Sequence, residues 1–174
     1  RTDTESTNRA LCQVSTMASY VAAFATGAAA GAAAYYYYQL SKKPTGFIAK
    51  VAEAEAAIGA ANILTPEAAK ALIDAGGAFL LDVQDPGSTT IKGSHSASLG
   101  TLPFKASTDL EAFKDPAIAD LPKDSLIIVN CGLGGQAKLG AKLLLDYGFT
   151  NVKTIEGGCV AYNKACQPTC KRGA

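Results

Sequence analysis

One stretch governs what this chain can fold into: Leu126 to Tyr147, LIIVNCGLGGQAKLGAKLLLDY. It opens on a short apolar, β-branched run, Leu126-Ile127-Ile128-Val129, of the kind buried on both faces of a sheet. Asn130 and Cys131 follow, and then the glycine-rich Gly132, Leu133, Gly134 and Gly135 with Gln136. From there Ala137, Leu139, Gly140, Leu143, Leu144 and Tyr147 fall at helical spacing. The pattern puts a cysteine where a parallel strand ends, in a tight loop that runs into a helix N-terminus. Loop N–H groups and the helix dipole converge on that place and favour an anionic sulfur or an anionic group attached to it. A small apolar residue filling a turn, buried and inert, is the other reading of the same cysteine.

Around this stretch the domain begins at Leu64. Thr65-Pro66-Glu67 is an N-cap with proline at the first helical position, and it opens a helix to about Asp74 that Ala75-Gly76-Gly77 ends. Ala78 to Val83 reads as a buried strand ending in the carboxylate of Asp82. The segment from Gln84 to Thr108 is loop-rich, with a turn at Asp85-Pro86-Gly87. A short helix over Phe113 to Ala119, a strand from Asn151 to Ile155 and a last helix from Gly157-Gly158 to Ala165 complete the order. Strand and helix alternate, so the fold class is α/β, a small parallel sheet flanked by helices.

The net charge of +1 gives no global attraction to nucleic acid. A single histidine, His95, leaves no histidine-rich metal site, and no metal or other cofactor is expected. The five cysteines are Cys12, Cys131, Cys159, Cys166 and Cys170. Their number is odd and their spacing wide, so they make no disulfide scaffold, and most are read as reduced. Cys166 and Cys170 could form a redox pair.

Residues 1–16 are polar, and the opening at Arg1 is what a processed or partial chain would show. From Ala10 to Ser41 there is no charged residue. Residues 17–41 are rich in alanine and long enough to span a bilayer, which takes about 20 residues. Tyr35 to Tyr38 followed by Lys42 and Lys43 resemble an interfacial belt with a cationic anchor. Gly27 and Gly31 form a GxxxG pattern that lets another membrane helix approach closely. A signal or transit segment, a soluble alanine-rich helix and a single transmembrane helix all fit; the last is the reading taken here. The lysines after the span put the domain on the positive, reducing side of the membrane, meaning cytosol, stroma or matrix. Residues 42–63 are then a linker with a short amphipathic helix, Ile48 to Ile58, exposing Glu53 and Glu55.

Several of these motifs, in this order, resemble the rhodanese-like domain over residues 64–166, with 167–174 as a tail. They are Leu64-Thr65-Pro66-Glu67, Leu81-Asp82-Val83-Gln84-Asp85-Pro86, Ile91-Lys92-Gly93-Ser94, Asp146 to Val152, and Glu156-Gly157-Gly158. In that family a loop cysteine accepts a sulfane sulfur from a donor such as thiosulfate and passes it to a nucleophile. The resemblance implies Cys131 as nucleophile and Gly132, Leu133, Gly134, Gly135 and Gln136 as the anion-binding loop, with Asp82 and Gln84 in support. Asp82 is expected to be a structural carboxylate bonded to loop amides rather than a general base. His95 is expected to be an exposed loop residue rather than part of a Cys–His dyad, and Cys159 is expected to be buried.

The chain also departs from the family pattern. Gln136 stands where the loop often ends in arginine, Gln84 replaces the arginine of the D-V-R motif, and Leu99 stands where related members often carry another. Each lost guanidinium removes a fixed charge that would hold an anionic donor. Loop amides, the helix dipole and Lys138 remain. Two functions follow. One is a catalytically weak or silent domain serving as a single-span accessory or docking subunit of an organellar membrane complex, bound to other membrane subunits through the Gly27–Gly31 helix. The other is a membrane-anchored sulfurtransferase or persulfide carrier using Cys131 and a small sulfur donor. The resemblance to tethered relatives favours the thylakoid over the mitochondrial inner membrane.

Overall fold

In the computed structural model, the described residues are Gly31, Tyr35, Tyr36, Tyr38, 46–166 and 170–171. The chain divides into two compact units, 1–45 and 46–174. Of the first, the four described residues are helical and exposed. Gly27 and the rest of the expected span lie outside the described residues. Among the described residues no helix is long and apolar enough to cross a membrane.

The second unit begins at Gly46 and so includes the segment before Leu64. Its elements are α1 (Phe47–Ile58), a 3-10 turn (Ala60–Asn62), β1 (Ile63–Leu64), α2 (Pro66–Asp74), β2 (Phe79–Asp82), β3 (Thr89–Thr90) and β4 (His95–Ser96). There follow α3 (Leu102–Lys105), α4 (Pro116–Ala119), β5 (Ile127–Asn130), α5 (Gly135–Asp146), β6 (Val152–Ile155), α6 (Gly158–Ala165) and β7 (Cys170–Lys171). A five-stranded sheet runs in the order β1-β6-β5-β2-β4, and every pair in it is parallel. β3 and β7 form a separate antiparallel ribbon.

Alternation in the central strand sorts the two faces. Ile127 and Val129 join Leu81, Val83 and Val152 in a core with Ile58 of α1, Leu102 and Ile118, and with Ala137, Ala141 and Leu144 of α5. Ile128 points the other way, toward Leu80, Ile155, Ala69 of α2, and Cys159 and Tyr162 of α6. Each fully buried aliphatic side chain contributes about 1.5–3 kcal/mol. The two layers together therefore hold β5, and the loop after it, at the centre of the sheet's C-terminal edge.

The expected linker holds α1, which buries Ala54 and Ile58 and leaves Glu53 and Glu55 exposed. Phe47 and Val51 of α1 lie against Gly135, the first residue of α5. Lys138 Nζ reaches Glu55 Oε2 at 2.6 Å. Within the loop-rich segment, β4 pairs alongside β2 with His95 opposite Leu81. The amides of Ala97 and Leu99 continue that edge to the carbonyls of Asp82 and Val83.

Candidate functional site: the Cys131 loop

β5 delivers Cys131 to the edge of the sheet, and the chain turns at once into α5. Gly134 makes the turn as N-cap, at φ +91°, a backbone region that L side chains avoid. The turn aims two amides at the sulfur. Gly134 N donates to Cys131 Sγ at 3.1 Å, and Ala137 N, in the first turn of α5, at 3.2 Å. Cys131 itself is only 2% exposed.

The loop is fixed from behind by α6. Cys159 N donates to the carbonyl of Cys131 at 2.8 Å, and Val160 N to that of Gly132 at 3.2 Å. In a trans peptide the carbonyl and the next N–H point in opposite directions. Holding both carbonyls toward α6 therefore turns the following amides away from it. Gly158 permits this approach: a Cβ there would lie 2.2 Å from the Cys131 oxygen, and its φ is +63°.

Asp82 and Gln84 brace the same loop. Asp82 Oδ1 accepts from the backbone amide of Gln84, in the loop after β2, at 2.9 Å, and Oδ2 from Gln84 Nε2 at 3.4 Å; the carboxylate is buried. Gln84 Nε2 also donates to the Thr89 carbonyl at 2.8 Å. Gln84 Oε1 sits 3.0 Å from the place a Cβ on Gly132 would take. Asn130, just before the cysteine, donates to Leu81 O at 3.2 Å and to Ser94 Oγ at 3.3 Å, tying the Ile91–Ser94 turn to the site.

Cys159 is buried, and its thiol donates to Thr89 O at 3.1 Å. Burial first, and then the Asp82 carboxylate, push this thiol above its ordinary value. It therefore stays protonated beside the loop. Cys131, Cys159 and Cys166 are all free.

The loop itself carries no cation. Gln136 is neutral, Leu99 packs against the core and Lys138 is drawn to Glu55. His95 is half-buried on the edge strand rather than in an exposed loop, and its Nε2 lies 2.8 Å from Asp115 Oδ2. Burial opposes ionisation of Asp115, but His95, the Ala117 amide and Lys105 outweigh it and hold the carboxyl low. Among the described residues no cluster of histidine, cysteine and carboxylates could hold a metal.

Sequence reasoning missed Ala137 as a donor to the sulfur, the two amides of α6 and the contact of α1 with Gly135. The Gly157-Gly158 pair was the available signal, because glycine is the residue that permits a left-handed backbone and a close backbone approach.

A family model described as the rhodanese-like domain matches residues 65–165. Among solved structures the chain resembles a Rhodopseudomonas palustris protein of unknown function described as a possible tyrosine phosphatase. Identity is 28% and the TM-score 0.64, over 75% of this chain and 98% of that one. It also resembles the human single-domain sulfurtransferase at 18% identity and TM-score 0.52, covering 62% of this chain and 98% of the other. Thiosulfate sulfurtransferase from Pseudomonas aeruginosa matches at 21% and TM-score 0.52, over 71% of this chain and 23% of its own. The last two likenesses are of fold. No curated protein matches the chain.

Proposed function

The chain belongs to the rhodanese-like domain family, and from that membership we propose that the Cys131 loop carries sulfane sulfur. The observation behind the proposal is the pair of amides, Gly134 N and Ala137 N, at 3.1 and 3.2 Å from Cys131 Sγ. Preorganised N–H donors stabilise negative charge on a sulfur without reorganising during the reaction. The Cys131 thiolate attacks the terminal sulfur of a donor persulfide, RSS⁻. A new S–S bond forms at Cys131, the donor's S–S bond breaks, and RS⁻ leaves. An acceptor thiolate then attacks the outer sulfur, takes it, and returns Cys131 as thiolate.

The donor class follows from the missing cations. Thiosulfate carries its charge on a sulfonate group that arginine recognises in bidentate fashion, and this loop supplies amides only. Persulfides, whose charge lies on the transferred sulfur, suit it better. A phosphatase role, suggested for the Rhodopseudomonas relative, has the same difficulty with a phosphate dianion. Transfer of sulfur to cyanide should therefore depend on Cys131 and run faster from a persulfide donor than from thiosulfate. Equal activity in Cys131→Ser would overturn the proposal.

A second reading rests on the near-complete burial of Cys131 and on Gln84, Gln136 and Leu99. In it the domain is catalytically quiet and serves as an accessory or docking subunit. For either reading we propose attachment by a single span over residues 17–41 to an organelle membrane, the thylakoid ahead of the mitochondrial inner membrane. The domain then lies on the reducing side, and Gly27 and Gly31 pack against other membrane subunits. The support for this is the uncharged stretch from Ala10 to Ser41 and the lysines after it. Replacing Gly27 and Gly31 with leucine should release the chain from such an assembly on a native gel; continued migration with it would remove the helix as the contact.

A further inference from the structure

Large apolar side chains stand in solvent around the mouth of the Cys131 loop. Leu133 on the loop is 79% exposed, Phe47 and Ile48 at the start of α1 are 55% and 81% exposed, and Val160 of α6 is 56% exposed. Phe47, Leu133 and Val160 border the loop, and Ile48 follows Phe47 in α1. Phe47 Cζ lies 3.0 Å from where a Cβ on Gly135 would sit, and the Val160 amide is bonded to Gly132 O. Leu133 stands between those two contacts in the chain. An apolar rim around a site is unusual on a surface that must stay in water, and it marks a contact face.

The covalent chain says what covers it. Only Pro44, Thr45 and Gly46 separate the Lys42-Lys43 pair from Phe47. At roughly 3.5 Å per residue, Phe47 stays within about 14 Å of Lys43 whatever the arrangement of the two units. If residues 17–41 span the membrane, Lys43 lies among the headgroups, and Phe47 and Ile48 cannot leave their neighbourhood. Apolar side chains of interfacial segments sink about 5–10 Å into that zone. We propose that the face formed by Phe47, Ile48, Leu133 and Val160 docks on the lipid surface, so that the mouth of the Cys131 loop opens toward the bilayer. The inference rests on the single-span attachment proposed above and adds to it the orientation of the domain.

The chain contains no tryptophan, so a substituted one reports its own surroundings. Full-length Leu133→Trp and Val160→Trp would be reconstituted in vesicles of equal parts phosphatidylcholine and phosphatidylglycerol, with and without bromine on the acyl chains. Phe113→Trp, an exposed aromatic between β4 and β5, serves as reference. Both loop-face variants should lose most of their emission to the brominated lipid while Phe113→Trp keeps its own. Protein that floats with the vesicles but shows no quenching, or equal quenching at all three positions, would overturn the docking face and leave the span standing. Protein that does not float would overturn the span and the docking face with it.

Discussion

Gly158 lies so close to Cys131 that a Cβ on it would come within 2.2 Å of the cysteine's carbonyl oxygen. This approach lets the first amides of α6 hold the carbonyls of Cys131 and Gly132, which fixes the chain leading into Gly134. Gly158→Ala should cost on the order of 2–4 kcal/mol, because it combines a clash with a left-handed backbone. Gly148 has a similar φ, +88°, but open space around it, so Gly148→Ala should cost only about 1 kcal/mol. Urea unfolding of both variants measures the difference, and only Gly158→Ala should also change the alkylation of Cys131.

Lys138, one turn into α5, is held 2.6 Å from Glu55. Glu55→Gln should free this cation to act on the loop. Iodoacetamide should then modify Cys131 roughly two- to fivefold faster at neutral pH, the effect of a charge interaction of about 0.3–1 kcal/mol. Because Cys12, Cys159, Cys166 and Cys170 also carry thiols, the rate is followed on the Cys131 peptide by mass spectrometry, with Cys131→Ser as the control.

The loop ends in Gln136 at a half-buried position. Gln136→Arg should raise thiosulfate use at least about tenfold relative to persulfide use, since a bidentate charge-assisted pair contributes about 1.5–3 kcal/mol. The ratio of kcat/KM for the two donors reads this directly, independent of enzyme concentration.

Cys159 makes stability depend on pH. Its thiol is raised in the folded state by burial and by Asp82, so folding favours the protonated form. That contribution is complete below the unfolded value of about 8.5 and is lost as pH rises through the folded one. The Tm of the wild-type chain should therefore fall faster than that of Cys159→Ala above about pH 8.5, with parallel curves below it.

The segment from β5 to α5 was legible because its apolar period changes from strand to helix across the glycines. α2 was legible because Thr65 and Pro66 mark its start, and Thr65 Oγ1 accepts from Ala68 N at 3.3 Å. β1, β3, β4 and β7 were not, since a two-residue strand has no period to read. The amphipathic pattern of α1 was visible, but its target was not: that Phe47 meets Gly135 is a long-range fact. The same holds for the site. Cys131 and its loop stand in the sequence as a motif, whereas the amides of Cys159 and Val160 act through backbone atoms that any residue possesses. His95 looked like loop because its flanking Ser94 and Ser96 are polar, yet pairing with β2 and the carboxylate of Asp115 fix it on an edge strand.

The most direct measurement is the intact mass of the full-length chain after brief exposure to a persulfide donor, with Cys131→Ser beside it. A sulfur carrier built on the Gly134 and Ala137 amides gains the mass of one sulfur atom at Cys131, loses it again on addition of a thiol acceptor, and gains nothing in Cys131→Ser. A folded chain that gains no sulfur, or gains it equally without Cys131, would contradict a sulfur-carrying loop and leave the domain as a docking module.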